Sequence, residues 1–297
     1  MIIINFLIIY PLVKILSLLP MKVLYLISDI LSFFIYNILN YRKKVVRDNL
    51  QMAFPKKSNK EIRLIEKKFF RHLTDFFVES IKTFSITEKE IKNRMSYKNL
   101  DYLQNIVDTG QSITLVGSHQ ANWEWLLGIP IQLKNIKCHA AYTKIKNKTL
   151  EKLIKESRSK FGIIMYETKN TILNIHRNYK KGIQSLYLLL SDQSPLIRKT
   201  SYWSKFMGIK VPIHTGAEML SKKYDMAYVF WTSKKIKRGY YEIEFKLITD
   251  KPRDFENYEL TEKYLRLVEK NIEESPETYL WSHKRFKHRN RVPEEWR

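Results

Sequence analysis

The stretch Ile113-Thr-Leu-Val-Gly-Ser-His-Gln-Ala-Asn-Trp-Glu-Trp125 decides how the chain is read. Its first half, Ile113 to Val116, is apolar and largely β-branched, the composition of a buried strand, and Gly117-Ser118 ends it. His119 stands at the strand's exit, and Glu124 follows five residues later. Along one continuous α-helix, five residues turn a side chain by about 140°. The two side chains therefore meet only if His119 sits on the strand-to-helix turn and Glu124 in the early helix. A loop-mounted histidine with a carboxylate to orient it suits the removal of a proton from a hydroxyl. The same spacing also separates ordinary surface residues, so the chemical reading rests on the rest of the sequence.

The 297 residues suffice for one large domain, or one domain with an appendage. Aliphatic and aromatic content is that of a globular protein, which excludes a largely disordered chain. Charge is out of balance: 53 Lys and Arg face 30 Asp and Glu, a net charge of +23. Such an excess favours a polyanionic partner, whether nucleic acid, an anionic membrane surface or an acidic protein. Cys138 is the sole cysteine. No disulfide can form within the chain and no cysteine-based metal site exists, as in a reducing compartment.

Residues 1–41 differ from the rest, with Lys14, Lys22 and Asp29 as their only charged side chains. Two apolar blocks, 2–19 and 23–39, are divided by Pro20-Met21-Lys22. Each lies near the lower limit of the roughly 17–25 residues that a spanning helix needs. No charged region precedes the first block and no small-residue cleavage site follows, so a signal peptide does not fit. The segment reads as a membrane anchor, either one spanning helix or a helical hairpin dipping into one leaflet; buried core helices are the alternative. The basic run Arg42-Lys43-Lys44-Val45-Val46-Arg47 follows at once, marking the cytoplasmic side and attracting anionic headgroups. Residues 42–297 are then the cytoplasmic-facing domain, and the membrane is the leading polyanion.

Apolar residues recur at helical spacing over 60–82, predicting an amphipathic helix packed on the main domain. Residues 88–106 read as mixed helix and turn. From 113 onward strands and helices alternate: strands at 113–116, 137–142, 163–166, 186–190, 227–231 and 241–247, helices at 123–129, 150–161, 171–179, 215–223 and 258–275. Gly162 and Gly182 close two of these helices. The pattern predicts an α/β fold, a mixed and largely parallel central sheet flanked by helices, preceded by the hydrophobic segment. His119 and Asp192 both fall at the carboxyl ends of strands, where ligands gather in such sheets. That shared position puts them in one site.

With those residues placed, the sequence resembles the lipid A biosynthesis (lauroyl/myristoyl) acyltransferases of the lysophospholipid acyltransferase superfamily. Six ordered blocks carry the likeness: Tyr41 to Leu50 with Phe54-Pro55, His119 with Asn122-Trp123-Glu124, Arg158-Ser-Lys-Phe-Gly162, Asp192-Gln193, Phe206-Met-Gly208, and Pro276 to Lys287. The resemblance implies that His119 is a general base and Glu124 its orienting partner, in direct transfer from acyl carrier protein without an acyl-enzyme. It implies a phosphorylated lipid acceptor and no metal or cofactor, on the cytoplasmic side of a bacterial inner membrane. Asn122, Arg158, Asp192 and Gln193 carry over as substrate-binding residues. Arg158 would hold phosphate or shape the pocket, and Asp192 would orient Arg158 or the sugar, or cap its turn. Trp123 packs or touches substrate, and Lys284, Arg285 and Lys287 bind phosphate or, the preferred reading, serve only as membrane-facing charge. Cys138 lies away from the block and offers no covalent route.

The chain departs from the related glycerol-phosphate enzymes, having Glu124 where they carry Asp and Ser191 to Pro195 where they carry a Pro-Glu-Gly block. Both departures favour the lipid A branch. Phe206-Met207-Gly208 departs from that branch's usual two aromatics, which leaves the acyl pocket open. Another acceptor, a glycolipid, aminolipid or lysophospholipid, would use the same chemistry. A non-catalytic basic membrane-surface protein is the other reading. Neither a helix-turn-helix signature nor zinc-ligand spacing occurs, so no nucleic-acid partner is expected.

Overall fold

The computed structural model describes residues 2–296. Its first elements are apolar helices, α1 (Ile2–Leu18) and α2 (Met21–Phe33), which a π-helical turn, Phe34–Leu39, prolongs. Pro20 separates them, and Asn40 and Arg42, both left-handed at φ 48° and 52°, end the segment and start α3 (Lys43–Ala53). The long α4 (Asn59–Lys82) opens on a capping box. Glu61 N–H donates to Ser58 Oγ at 3.3 Å while the Glu61 carboxylate accepts from Ser58 N–H at 2.8 Å. After α5 (Glu88–Arg94), the first strand, β1 (Met95–Lys98), and α6 (Leu100–Asp108), the chain enters the alternating region.

There β2 (Ile113–Gly117), β3 (Lys137–Tyr142), β4 (Ile164–Glu167) and β5 (Ser185–Leu190) alternate with a 3-10 helix (Trp123–Ile131), α7 (Lys148–Ser159) and α8 (Thr171–Lys180). A small hairpin, β6 (Trp203–Phe206) and β7 (Ile209–Pro212), precedes α9 (Gly216–Tyr224), β8 (Ala227–Lys237), β9 (Tyr240–Thr249) and α10 (Glu259–Glu274). Among the described residues, seven strands form one sheet in the order β1-β9-β8-β2-β5-β3-β4. Every neighbouring pair is parallel except β8 with β9. The sheet is mixed and largely parallel, as the alternation predicts.

Both faces are covered, which explains why β2 reads as an unbroken apolar run. Alternate residues feed opposite cores: Leu115, Val229 and Trp231 pack with α6 and Trp125 on one face, Val116, Tyr228 and Phe230 with α3 and α10 on the other. α4 contributes to both cores, Val78 to the first and Phe69, Phe70 and Leu73 to the second.

Several histidines are buried or half-buried, where desolvation favours the neutral imidazole. Burial, then the Lys235 charge, pushes His72 down to about 3. Burial, then Lys137 and Arg285 respectively, pushes His139 and His283 down to about 4. The unfolded chain therefore binds more protons than the folded one between about pH 6.5 and 4. Stability is present above that window and is lost as pH falls through it. Glu79, which burial raises to about 7, acts oppositely between about 4.5 and 7 but is one group against three. The melting temperature is expected to fall between pH 7 and pH 4.5 in calorimetry or a fluorescence melt. His72→Leu should flatten that slope, by up to about 1.4 kcal/mol per pH unit; an unchanged slope would show that His72 does not contribute.

Candidate active site

The parallel register of β2 and β5 sets Gly117 opposite Leu190. Two residues beyond each strand end stand His119 and Asp192. His119 Nδ1 lies 2.7 Å from Asp192 Oδ1, and the His119 backbone N–H donates to Oδ2 at 3.2 Å. A carboxylate can only accept, so Nδ1 carries the proton and Nε2 keeps the basic lone pair. Burial raises the Asp192 carboxyl, but the charge and hydrogen bonds of His119 outweigh it and hold the group below the usual carboxylate range. Gly117 is required where the strand ends, because a Cβ there would lie 2.2 Å from the Trp231 ring.

The turn after His119 is clamped from the carboxyl-terminal segment. Leu280 N–H donates to His119 O and Ala121 N–H to Thr278 O, each at 3.0 Å. Gln120 Nε2 donates to Asn271 O at 2.8 Å and Thr278 Oγ1 at 3.1 Å. Ala121 sits at φ 52°, a left-handed conformation that costs a side-chain-bearing residue about 1–2 kcal/mol. This clamp holds it there.

Asn122, expected to bind substrate, is instead buried with its amide engaged on both sides. Its Oδ1 accepts from Trp125 N–H at 3.1 Å, starting the 3-10 helix, and its Nδ2 donates to Glu79 Oε2 at 2.7 Å. Glu79 also accepts the hydroxyls of Tyr25 and Tyr241, each at 2.8 Å. Trp123 stacks on Phe76 with 4.0 Å between centroids, meets the His119 ring edge-on at 5.2 Å and lines the cavity beside it.

The structure gives His119 a different carboxylate from the one the sequence suggests. Glu124, expected on His119, is paired with Arg158 through Nε–Oε2 at 2.9 Å and through Nη2–Oε1. Asp192, expected to orient Arg158 or the sugar or to cap its turn, holds His119. The cause is local geometry. Glu124 lies in the first turn of the 3-10 helix and reaches α7, whereas Asp192 leaves the strand next to β2 at the matching level.

His119, Glu124, Arg158 and Gln193 line a cavity of about 830 Å³. Its wall is mostly apolar, with Leu127, Ile154, Met165, Leu188 and Met219 among its members. His214, which the sequence reading passed over, also faces it; burial and the Arg285 charge push that imidazole down. Arg285 is no membrane-facing charge: it is 1% exposed, with its guanidinium 4.6 Å from the Phe206 ring centre. Cys138 is buried in β3, its thiol pushed up to about 12 by desolvation. Glu79 was also missed, although His72, Asp75, Phe76 and Glu79 share one helical stripe, so a buried acid was legible there.

A proton acceptor at the end of a parallel strand, backed by a buried carboxylate and facing an apolar cavity, suits transfer of an acyl chain to a hydroxyl. The chain matches the bacterial lipid A biosynthesis acyltransferase family over residues 2–288. It is 25% identical over 257 residues to the lipid A biosynthesis palmitoleoyltransferase of Escherichia coli (strain K12), across 84% of this chain and 80% of that one. A lipid A biosynthesis acyltransferase of Shigella flexneri matches to the same extent. The lipid A biosynthesis lauroyltransferase of Escherichia coli (strain K12) is 24% identical over 277 residues, across 91% of this chain and 87% of that one. A family match spanning both the His119 turn and the segment that clamps it leaves one conclusion: the chain belongs to the bacterial lipid A biosynthesis acyltransferases, and it is an acyltransferase.

Proposed function

We propose that this protein is a membrane-associated O-acyltransferase at the cytoplasmic face of a bacterial inner membrane. It moves a fatty acyl chain from an acyl carrier protein thioester to a hydroxyl of a phosphorylated lipid A precursor. The observation that carries the reading is the His119–Asp192 contact at the edge of the apolar cavity. His119 Nε2 takes the acceptor hydroxyl's proton as that oxygen attacks the thioester carbon. The tetrahedral intermediate collapses, the carbon–sulfur bond breaks, and the imidazolium returns its proton to the leaving thiolate. Asp192 fixes the tautomer and stabilises the imidazolium, and the acyl group passes directly to the acceptor oxygen without an acyl-enzyme.

Glu124 and Arg158 take a different part. Two guanidinium N–H groups are spent on Glu124, and the remaining donors are available to an acceptor phosphate at the cavity wall. Gln193, half-buried in that wall, offers an amide to the sugar or the thioester oxygen. An acidic carrier protein and anionic lipids both suit a chain of net charge +23.

An acyl-transfer assay in membranes, with acyl carrier protein thioesters, a tetra-acylated lipid A precursor and mass-spectrometric readout, tests this. The wild type should add one acyl chain. His119→Ala and Asp192→Asn should each lower kcat by on the order of 10²–10⁴. Activity surviving in His119→Ala would remove the general base. In the same assay Arg158→Lys and Glu124→Gln should mainly raise KM for the phosphorylated acceptor. A loss confined to kcat would place that pair with the reacting atoms instead. Acylation of a different membrane lipid would reassign the acceptor.

A further inference from the structure

The apolar segment Met21–Leu39 spans 19 residues. At about 1.5 Å per residue it is roughly as long as the hydrocarbon layer is thick. Its contacts argue against a crossing. One side of α2 is bonded to the catalytic domain along a polar seam. Tyr25 donates to Glu79 at 2.8 Å, and Ser28 Oγ makes contacts to Asp75 at 2.8 Å and Thr74 at 3.0 Å. Asp29 pairs with Arg238 at 2.8 Å and with Arg71 at 3.3 Å. Arg238 also bonds Asp75 at 2.6 Å and Tyr25 O at 3.2 Å, and Lys235 reaches Asp75 at 3.1 Å. α1 is held as well, Lys82 Nζ donating to Ser17 O and Leu19 O, each at 3.2 Å.

Were α2 to cross a bilayer, this seam would enter hydrocarbon with it, together with Asp29, Asp75, Glu79, Arg71, Lys235 and Arg238, or would be torn apart. Either outcome places charged groups where they are least tolerated. The opposite side of the hairpin presents Leu12, Ile15, Leu26, Ile30, Phe33 and Ile38, all exposed. Its ends carry Lys22, Arg42 and Lys44, also exposed, and Lys43, whose ammonium is 3.8 Å from the Tyr36 ring centre. Apolar residues flanked by cations that stay at headgroup level fit one anionic leaflet.

We infer that the two N-terminal helices lie in the plane of a single leaflet, docked along the catalytic domain, with both ends of α2 on the cytoplasmic face. This rests on the proposed membrane association and settles its geometry in favour of the hairpin over the span. It also ties bilayer and site together. α1 packs against α7, which lends Ile154 and Arg158 to the cavity. Tyr25 of α2 reaches the catalytic turn through Glu79 and Asn122. A lipid acceptor would thus approach the cavity from the surface on which the hairpin lies.

Cysteines introduced singly at Lys22 and Lys44 in the full chain test this, buried Cys138 serving as the silent background. A membrane-impermeant maleimide is applied to intact spheroplasts and to lysed ones. Both positions should be protected in intact spheroplasts and labelled after lysis. Labelling of Lys22→Cys, but not Lys44→Cys, on intact spheroplasts would mean a crossing and overturn the inference; labelling of both there would overturn it too. Independently, wild type should sediment with phosphatidylglycerol–phosphatidylethanolamine vesicles. A Leu26→Asp, Ile30→Asp variant, altered only at exposed positions, should lose most of that binding. Unchanged binding would remove the leaflet as occupant of this face. Acyl transfer measured on the same membranes reports separately on the proposed reaction.

Discussion

The parallel pairing of β2 with β5 is the constraint from which the site follows. In-register pairing brings two chain ends out of the sheet at one level, so that a histidine and an aspartate 73 residues apart meet. A slip of one residue would invert every side chain on the strand, sending Val116 and Leu115 to the wrong cores. The packing that stabilises the sheet is therefore the same packing that sets the His119–Asp192 distance. Gly117 makes this concrete, since the strand end and the Trp231 ring share a space with no room for a methyl group.

Around that crossing point, a strongly basic chain uses carboxylates as its internal acceptors. Asp192 takes two N–H groups from His119, and Glu79 takes two tyrosine hydroxyls and an asparagine amide. Glu218 takes Tyr258 N–H at 2.7 Å, Thr261 N–H at 2.9 Å and the Thr261 hydroxyl at 2.6 Å, fixing the start of α10. Each of these acids gathers several donors, which is what makes an interior carboxylate tolerable. The blocks that carry the family likeness fit the same logic. Asn49 holds Trp281 O and His283 O at 2.8 Å each, and the 278–280 stretch in turn clamps the turn that carries His119. They are separated in sequence and form one scaffold in space.

What could be read from sequence divides along the line between local and non-local physics. Strands β2 and β5 were legible because their mostly apolar runs need no partner to be seen. The edge strand β1, four residues including Ser96 and Lys98, has too little pattern to stand out. Phe206-Met207-Gly208 carries no strand pattern on either side from which a hairpin can be read. Met207 and Gly208, at φ 51° and 78°, form the two-residue turn between β6 and β7. His119 was legible as a loop-mounted histidine at a strand end, yet its carboxylate partner was not. Glu124 is near in the chain, but only the sheet order brings Asp192 beside the ring.

The N-terminal segment shows the same division at larger scale. Composition and length alone allow Met21–Leu39 to cross a bilayer. What composition also shows is one acid, Asp29, in an otherwise apolar block. A lone carboxylate in such a helix demands a cation, and a helix in hydrocarbon finds one only in another buried element. Here the cation is Arg238, 209 residues later, on the turn between β8 and β9. The partner belongs to the folded domain, so the helix is bound to that domain along its side rather than at its end. A charged residue inside an apolar segment is thus evidence about the segment's neighbours, and it weighs more than the segment's length.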